Sequence, residues 1–287
     1  MDILLVLTAL AAAVFYAFGI VLAPLGLRVA PPVAGGAVSV PSSALFFLCL
    51  APFTIDVGSY DPHGLALFTL AGAFFPAVVT LLNFAGNVRL GPNLVGALGN
   101  LTPLFAVAIA AVLLGDVPGP WQVLGILAVC GGLLMLALER MRLHAGAALW
   151  VLMLPLAAAV LRGAAQPIVK LGLESWPDAF AATTVGYVAS AIVLVSVRRV
   201  VSPAPLPRDP RVLWYCVIGL CNGLSVVFLY TALTHGPVTV VAPLMATYPL
   251  IVMGLNRVIH GDRALTPTTF AGIAISVAGV AVVLAAG

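Results

Sequence analysis

Long apolar runs separated by short polar connections constrain this chain more than any other feature of its sequence. Ten such runs follow one another over 287 residues. A helix needs about 20 mostly apolar residues to cross a bilayer core of roughly 30 Å. The connections between the runs are rich in Pro, Gly, Asp and Arg, and none could hold a soluble domain. The runs therefore predict ten transmembrane helices.

The predicted spans form two sets of five. The first set covers residues 3–23, 33–53, 64–86, 93–114 and 121–138, and the second covers 147–169, 178–197, 212–234, 238–259 and 267–286. Backbone groups without partners are costly in lipid, so each run is expected to be helical. The strands of a membrane barrel are much shorter and alternate in polarity, which these runs do not. The fold class is thus all-α integral membrane.

The composition excludes a water-facing surface. Hydrophobic residues make up 63% of the chain and charged residues only 7%, whereas a soluble domain carries roughly 25% charged residues. The net charge of +3 is small and no Lys/Arg-rich patch is interleaved with aromatic residues, so we expect no nucleic-acid partner. The four cysteines lie in apolar runs without a nearby His to complete a metal set, so neither a metal nor a cofactor is predicted.

An internal repeat divides the chain into halves at residues 1–143 and 144–287. A shift of about 146 residues aligns an ordered series of Gly, Pro and Asp positions: Leu25-Gly26-Leu27 with Leu171-Gly172-Leu173, Gly91-Pro92 with Gly236-Pro237, Pro103 with Pro249, Gly115-Asp116 with Gly261-Asp262, Gly125 with Gly272, and Gly132 with Gly279. Five spans per half is an odd number. The second half must therefore enter the membrane from the opposite face, and the repeats are predicted to be inverted.

The distribution of charge provides an independent test of this topology. Lys and Arg favour cytoplasmic connections, and ten of the twelve basic residues lie in or at the edges of the odd-numbered connections, whereas Lys170 alone lies in an even-numbered one and Arg162 lies well inside a span. This bias predicts a multi-pass protein of the plasma (inner) membrane. Both termini are expected on the non-cytoplasmic side.

The residues of the second half carry a family resemblance. They are Ala232-Leu233, Gly236-Pro237, Val241-Ala242-Pro243-Leu244, Tyr248-Pro249, Gly261-Asp262-Arg263, Gly272 and Gly279-Val280. The stretch from Thr231 to Val283 resembles an EamA-type repeat of the drug/metabolite transporter superfamily. The first half carries a weaker copy in Gly91-Pro92, Thr102-Pro103, Leu113-Leu114-Gly115-Asp116, Gly125 and Gly131-Gly132. The acidic residue after the Gly is usually Glu in this family and is Asp here in both copies.

The resemblance implies two pseudosymmetric bundles around a central cavity lined by spans one, three, four, six, eight and nine. Substrates in such families range from amino acids and drugs to sugar phosphates and lipid-linked sugars. The resemblance therefore implies a class of mechanism and leaves the substrate open.

Two prolines at equivalent positions are candidates for breaks in the helices. Pro103 and Pro249 fall near the middles of spans four and nine. Each lacks an N–H and clashes with the carbonyl one turn back, and interrupted helices at matching positions point to a midplane binding site. Simple packing kinks are the alternative. Pro41, Pro76, Pro155 and Pro167 have no such symmetry and are interpreted as packing residues.

Arg162 is the only charged residue well inside a span. An intramembrane charge usually faces a polar interior, where Arg162 could grip a carboxylate or phosphate bidentately. Alternatively it could snorkel towards the outer interface, in the direction of Lys170. Gln166 lies on the same helix face, and Tyr16 has a nearby register in span one.

Further polar residues lie within spans three, four, eight and nine. They are Asn83, Asn87, Asn100, Thr102, Asn222, Tyr230 and Tyr248. Each could hydrogen-bond a solute in the cavity, or could instead tie two helices together.

The residues that are missing also restrict the function. No Asp or Glu lies in the interior of a span, which disfavours a proton relay and a drug/proton antiporter. Walker A, HExxH and GxSxG signatures are missing as well, so ATP-driven transport and an enzyme are not expected. The favoured hypothesis is a secondary exporter of a small polar or anionic metabolite such as an amino acid, acting by alternating access. The alternatives are a flippase for a lipid-linked substrate and a multidrug efflux transporter. The expected partners are the solute and the bilayer, with the chain as a monomer or homodimer.

Overall fold

The chain folds into helices throughout the part that the structure describes. The computed structural model describes residues 2–30, 32–141, 149–201, 209–260 and 267–286. These contain α1 (Ile3–Leu27), α2 (Pro32–Thr54), α3 (Pro62–Phe74), α4 (Ala77–Gly99), α5 (Thr102–Leu113), α6 (Pro120–Met141), α7 (Leu149–Ser175), α8 (Ala179–Val201), α9 (Trp214–His235), α10 (Val238–Met245), α11 (Tyr248–His260) and α12 (Pro267–Ala286). Two short 3₁₀ turns, Val57–Ser59 and Pro210–Leu213, complete the described elements.

Ten apolar segments account for the predicted spans. Within the described ranges, seven helical runs are long and apolar enough to cross a membrane. Three shorter apolar helices, Thr102–Leu113, Pro120–Met135 and Phe270–Ala286, overlap predicted spans four, five and ten. The ten-helix architecture is confirmed.

The connection predicted between spans three and four is wrong. Helix α4 passes through Gly91-Pro92 without interruption, and the chain breaks at Phe75-Pro76 instead. The residue before a proline is disfavoured in the helical region, and Phe75 is extended, with φ −122° and ψ 124°. Spans three and four are therefore built from α3, α4 and α5.

Helices α6 and α12 show that the two repeats are inverted. A side chain added at Gly125 would meet the backbone of Gly279, and one added at Gly132 would meet Gly272. As the residue number rises along α6 it falls along α12, so the two helices are antiparallel. The repeat aligns Gly125 with Gly272 and Gly132 with Gly279. Equivalent helices thus run in opposite directions, as the sequence predicts.

The helix contacts obey a pseudo-twofold axis. Helix α1 packs on α9, and its equivalent α7 packs on α3 and α4. Helix α2 packs on α9, and its equivalent α8 packs on α3. Helix α1 also packs on α11, just as α7 packs on α5. Two packing units result, and each mixes the sequence halves. The first unit contains α1, α2, α9, α10 and α11, and the second unit contains α3, α4, α5, α7 and α8. The predicted boundary between residues 143 and 144 lies outside the described residues and stays a prediction.

Candidate functional site: the central cavity

A cavity of about 340 Å³ lies between the first and second units. Its wall is mostly apolar and includes residues from predicted spans one, three, four, six, eight and nine. Two further spans contribute, which the resemblance did not imply. Gly35, Gly36, Ser39 and Val40 line the cavity from span two, and Tyr187 lines it from span seven.

The cavity extends towards one end of the bundle. Leu27, at the end of α1, lines it together with Gly35, near the start of α2, and Tyr215, near the start of α9. Among the described lining residues, none of α1 precedes Tyr16 and none of α7 follows Gln166. The cavity therefore reaches the end of the molecule that carries most of the arginines.

Helix interruptions form part of the cavity wall at equivalent positions of the two repeats. Helix α4 ends at Gly99 and α5 begins at Thr102, while α10 ends at Met245 and α11 begins at Tyr248. Pro103 and Pro249 thus lie in the first turn of a new helix, where the missing N–H costs nothing. Each span is interrupted just before its proline, whereas the sequence indicated a kink at the proline itself.

The interruptions differ in what they present to the cavity. The first copy contributes Gly99, Asn100, Thr102 and Pro103 to the wall, and the second contributes Met245, Ala246 and Tyr248. Pro249 is not part of the wall. The Tyr248 hydroxyl donates a hydrogen bond of 3.2 Å to Oδ1 of Asn100. This bond joins the broken helix of one unit to that of the other.

Arg162 lies in the cavity wall, which decides between the two interpretations of its charge. Its guanidinium carbon is 5.2 Å from the centroid of the Tyr16 ring, and the Tyr16 ring packs edge-on against Tyr248 at 4.7 Å. Its Nε is buried and has no hydrogen-bond partner. No ion pair within the described part of the chain includes Arg162. The guanidinium therefore packs on the Tyr16 ring and lacks an anionic partner among the described residues.

Two amides of the wall also have unmet hydrogen-bonding capacity. Oε1 of Gln166 and Oδ1 of Asn222 are buried without a partner, and both residues line the cavity. A buried polar atom without a partner costs about 1–3 kcal/mol. A solute or water that donates hydrogen bonds would remove this cost.

The remaining predicted residues are mostly in the wall. Asn83, Thr102 and Tyr230 line the cavity, whereas the Asn87 side chain lies outside the part that the structure describes. Pro76, which the sequence analysis interpreted as a packing residue, lines the cavity too, as do Tyr187 and Tyr215, which it did not single out. A sequence signal existed for both tyrosines, because they lie within predicted spans seven and eight and a buried tyrosine usually finds a partner for its hydroxyl.

The end of the bundle that the cavity does not reach is closed by polar contacts between the units. Lys170 Nζ donates to the carbonyls of Leu233 at 2.6 Å and Gly236 at 3.1 Å. Asp116 accepts hydrogen bonds from the Thr239 hydroxyl at 3.1 Å and from the Thr239 N–H at 3.3 Å. These five residues form what we call the polar latch.

Gly115 explains how Asp116 reaches the second repeat. Its φ of 67° lies in the left-handed region, which glycine adopts without strain. The resulting turn after α5 places the Asp116 carboxylate at the N-terminus of α10. There it accepts a hydrogen bond from a free N–H and interacts favourably with the helix dipole. The Gly115-Asp116 motif thus ties one repeat to the other, while its copy at Gly261-Asp262 lies outside the described residues.

Comparison with known proteins identifies the family to which this chain belongs. The EamA-like transporter family matches residues 3–138 and 148–285, one match for each repeat. A solved structure described as "Crystal structure of protein" is 18% identical, with a TM-score of 0.78 over 98% of each chain. The comparison with curated proteins gives no match. The chain therefore belongs to the EamA-like transporter family and is a multi-pass membrane transporter of the drug/metabolite superfamily.

Proposed function

We propose that this protein is a secondary transporter that exports a small polar or anionic metabolite, such as an amino acid, across the plasma (inner) membrane. The observation that carries the proposal is Arg162, a buried guanidinium in the cavity wall without an anionic partner among the described residues. An arginine stays protonated in proteins, and a charge inside a membrane is costly unless it is paired. An anionic solute would supply the missing partner.

The arrangement of the two units supports alternating access as the mechanism. The cavity reaches the arginine-rich end, which the charge bias assigns to the cytoplasm, and the polar latch closes the other end. Rocking the first unit against the second would break the latch and close the arginine-rich end. The solute would then leave on the side that carries Asp2 and Asp116.

The test is counterflow of radiolabelled amino acids and organic anions in proteoliposomes that contain the purified chain. We expect Arg162→Ala to abolish transport, while Arg162→Lys retains part of it because the charge remains but the bidentate fork is lost. Size-exclusion profiles and membrane insertion should match those of the unchanged chain. Transport by Arg162→Ala at the unchanged rate would refute the role of Arg162.

The alternatives require a different set of substrates in the same assay. A flippase would move a lipid-linked sugar between leaflets and would show no counterflow of soluble anions. A multidrug transporter would transport lipophilic cations. Arg162 favours an anion over a cation because its charge would repel the latter.

A further inference from the structure

The charge and lining of the cavity restrict its solute further. We infer that the solute carries one carboxylate as its sole anionic group, attached to a compact apolar or aromatic body. This inference rests on the proposed function, because it concerns the same cavity. It goes beyond that proposal by excluding phosphate monoesters, dicarboxylates and fully polar anions.

The first argument is the number of charges. Arg162 is the single charged residue among the described residues that line the cavity. One carboxylate would neutralise it. A second negative charge on the solute would remain unpaired in an apolar surrounding, and a buried unpaired charge is strongly unfavourable. Phosphate monoesters carry about −1.5 to −2 at neutral pH, so they meet the same penalty.

The second argument is the geometry around the guanidinium. The guanidinium carbon of Arg162 lies 5.2 Å from the centroid of the Tyr16 ring, and a guanidinium presents its donors in the plane of the group. An anion is therefore bound at an edge of the guanidinium, and the buried Nε has a donor without a partner to offer it. A planar carboxylate matches this edge with two parallel hydrogen bonds.

The third argument is the rest of the wall. Ile20, Val79, Ile218 and Leu229 are among the aliphatic residues that face the cavity, and five tyrosines line it. A volume of about 340 Å³ lies at the lower end of the range of about 300–1,000 Å³ found for pockets that hold small ligands. Such a wall gains free energy by covering apolar surface. A small sugar acid or citrate would bring little apolar surface into contact with this wall.

The experiment compares four probes that differ in charge or in apolar surface, three of which are phenyl compounds of similar size. Phenylacetate carries one carboxylate, phenylacetamide is neutral, phenyl phosphate carries almost two charges, and glycolate lacks the apolar body. Binding to the full-length protein in detergent is measured by thermal shift and calorimetry, and transport by counterflow. We expect phenylacetate to bind at least tenfold more tightly than each of the others.

Two variants make the result specific to Arg162. Arg162→Gln should reduce the preference for phenylacetate over phenylacetamide to about twofold or less. Ile20→Lys adds a second cation one helical turn from Tyr16, and should raise the affinity for phenyl phosphate at least tenfold relative to phenylacetate. Thermal unfolding of each variant without probe verifies that it is folded.

Each outcome separates the inference from the proposed function. Phenyl phosphate that binds the unchanged chain as tightly as phenylacetate would overturn the restriction to one charge and leave Arg162 as an anion site. Glycolate that binds as tightly as phenylacetate would overturn the apolar body. If no monocarboxylate shifts the unfolding temperature, the inference fails as a whole. The proposed function fails only if the counterflow of every anion tested is also insensitive to Arg162→Ala.

Discussion

Tyr16 determines how Arg162 is presented to the cavity. Its ring lies 5.2 Å from the guanidinium carbon and is held edge-on by Tyr248, which in turn binds Asn100 across the cavity. A cation over an aromatic ring gains about 0.5–2 kcal/mol, most when the pair is desolvated. The ring therefore restricts the motion of a long, flexible side chain at the cavity wall.

Replacing this ring provides a test at the scale of one residue. Tyr16→Phe keeps the aromatic face, so we expect the Kd for phenylacetate to change by no more than about threefold. Tyr16→Leu removes the face and should weaken binding by about tenfold, which corresponds to about 1.4 kcal/mol. Calorimetry on the two variants in parallel measures the difference. Equal affinities of the two variants would show that the ring does not position Arg162.

Single residues also show where sequence reasoning reaches its limit. Arg162 is detectable because no other charge lies well inside a span, but its direction is not, since snorkelling and cavity-facing arginines can share the same register. The contact with Tyr16 decides it, and that contact depends on how α1 and α7 approach each other. Tyr215 was missed for the same reason: its hydroxyl donates to the Ala30 carbonyl at 2.8 Å, far away in the sequence.

At the scale of elements, one dipeptide has opposite effects in the two repeats. Gly236-Pro237 separates α9 from α10, whereas Gly91-Pro92 lies within α4. Lys170 binds the carbonyls that the second interruption frees. The repeat aligns Lys170 with Pro24, which has no donor to offer the first copy. An interruption in lipid requires such a partner, and the local motif does not include it.

Neighbouring glycines on α6 offer a matched test of the close helix crossing. A Cβ at Gly132 would lie 2.5 Å from the carbonyl oxygen of Gly272, whereas one at Gly131 meets nothing within 4 Å. Gly132→Ala should therefore destabilise the protein by about 1–3 kcal/mol, the usual cost of overpacking. Gly131→Ala should leave the unfolding temperature unchanged or raise it slightly, because alanine favours helix. Thermal unfolding in detergent compares them, and equal stabilities would contradict the crossing.

At the scale of the whole molecule, the two packing units that surround the cavity do not coincide with the two repeats of the sequence. Inverted five-helix repeats were predictable from the ordered Gly, Pro and Asp matches and from the odd span number, and the central cavity was implied by the family resemblance. The exchange of helices between the units was not, because it arises from long-range packing of α1 on α9 and of α7 on α3. The proposed motion between the units would therefore separate helices of the same repeat.

The polar latch connects the two units, so its removal should change which side reaches the cavity. Lys170 of the second unit holds carbonyls of the first, and Lys170→Met removes every donor from that side chain while keeping its length. In a background without Cys49, Cys130, Cys216 and Cys221, Ser39→Cys places a thiol in the cavity wall. Val117→Cys, exposed beside Asp116, identifies the latch side.

An impermeant thiol reagent should label Ser39→Cys mainly when it is added on the side opposite to Val117→Cys, because the polar latch closes the side on which Val117 lies. Adding Lys170→Met should raise labelling from the latch side at least fivefold, since the freed carbonyls of Leu233 and Gly236 then favour water over the closed interface. Lys170→Arg retains donors for both carbonyls and should resemble the parent. If Lys170→Met leaves the labelling ratio unchanged, the closed end is held by apolar packing alone. The units would then have to separate without any contribution from Lys170.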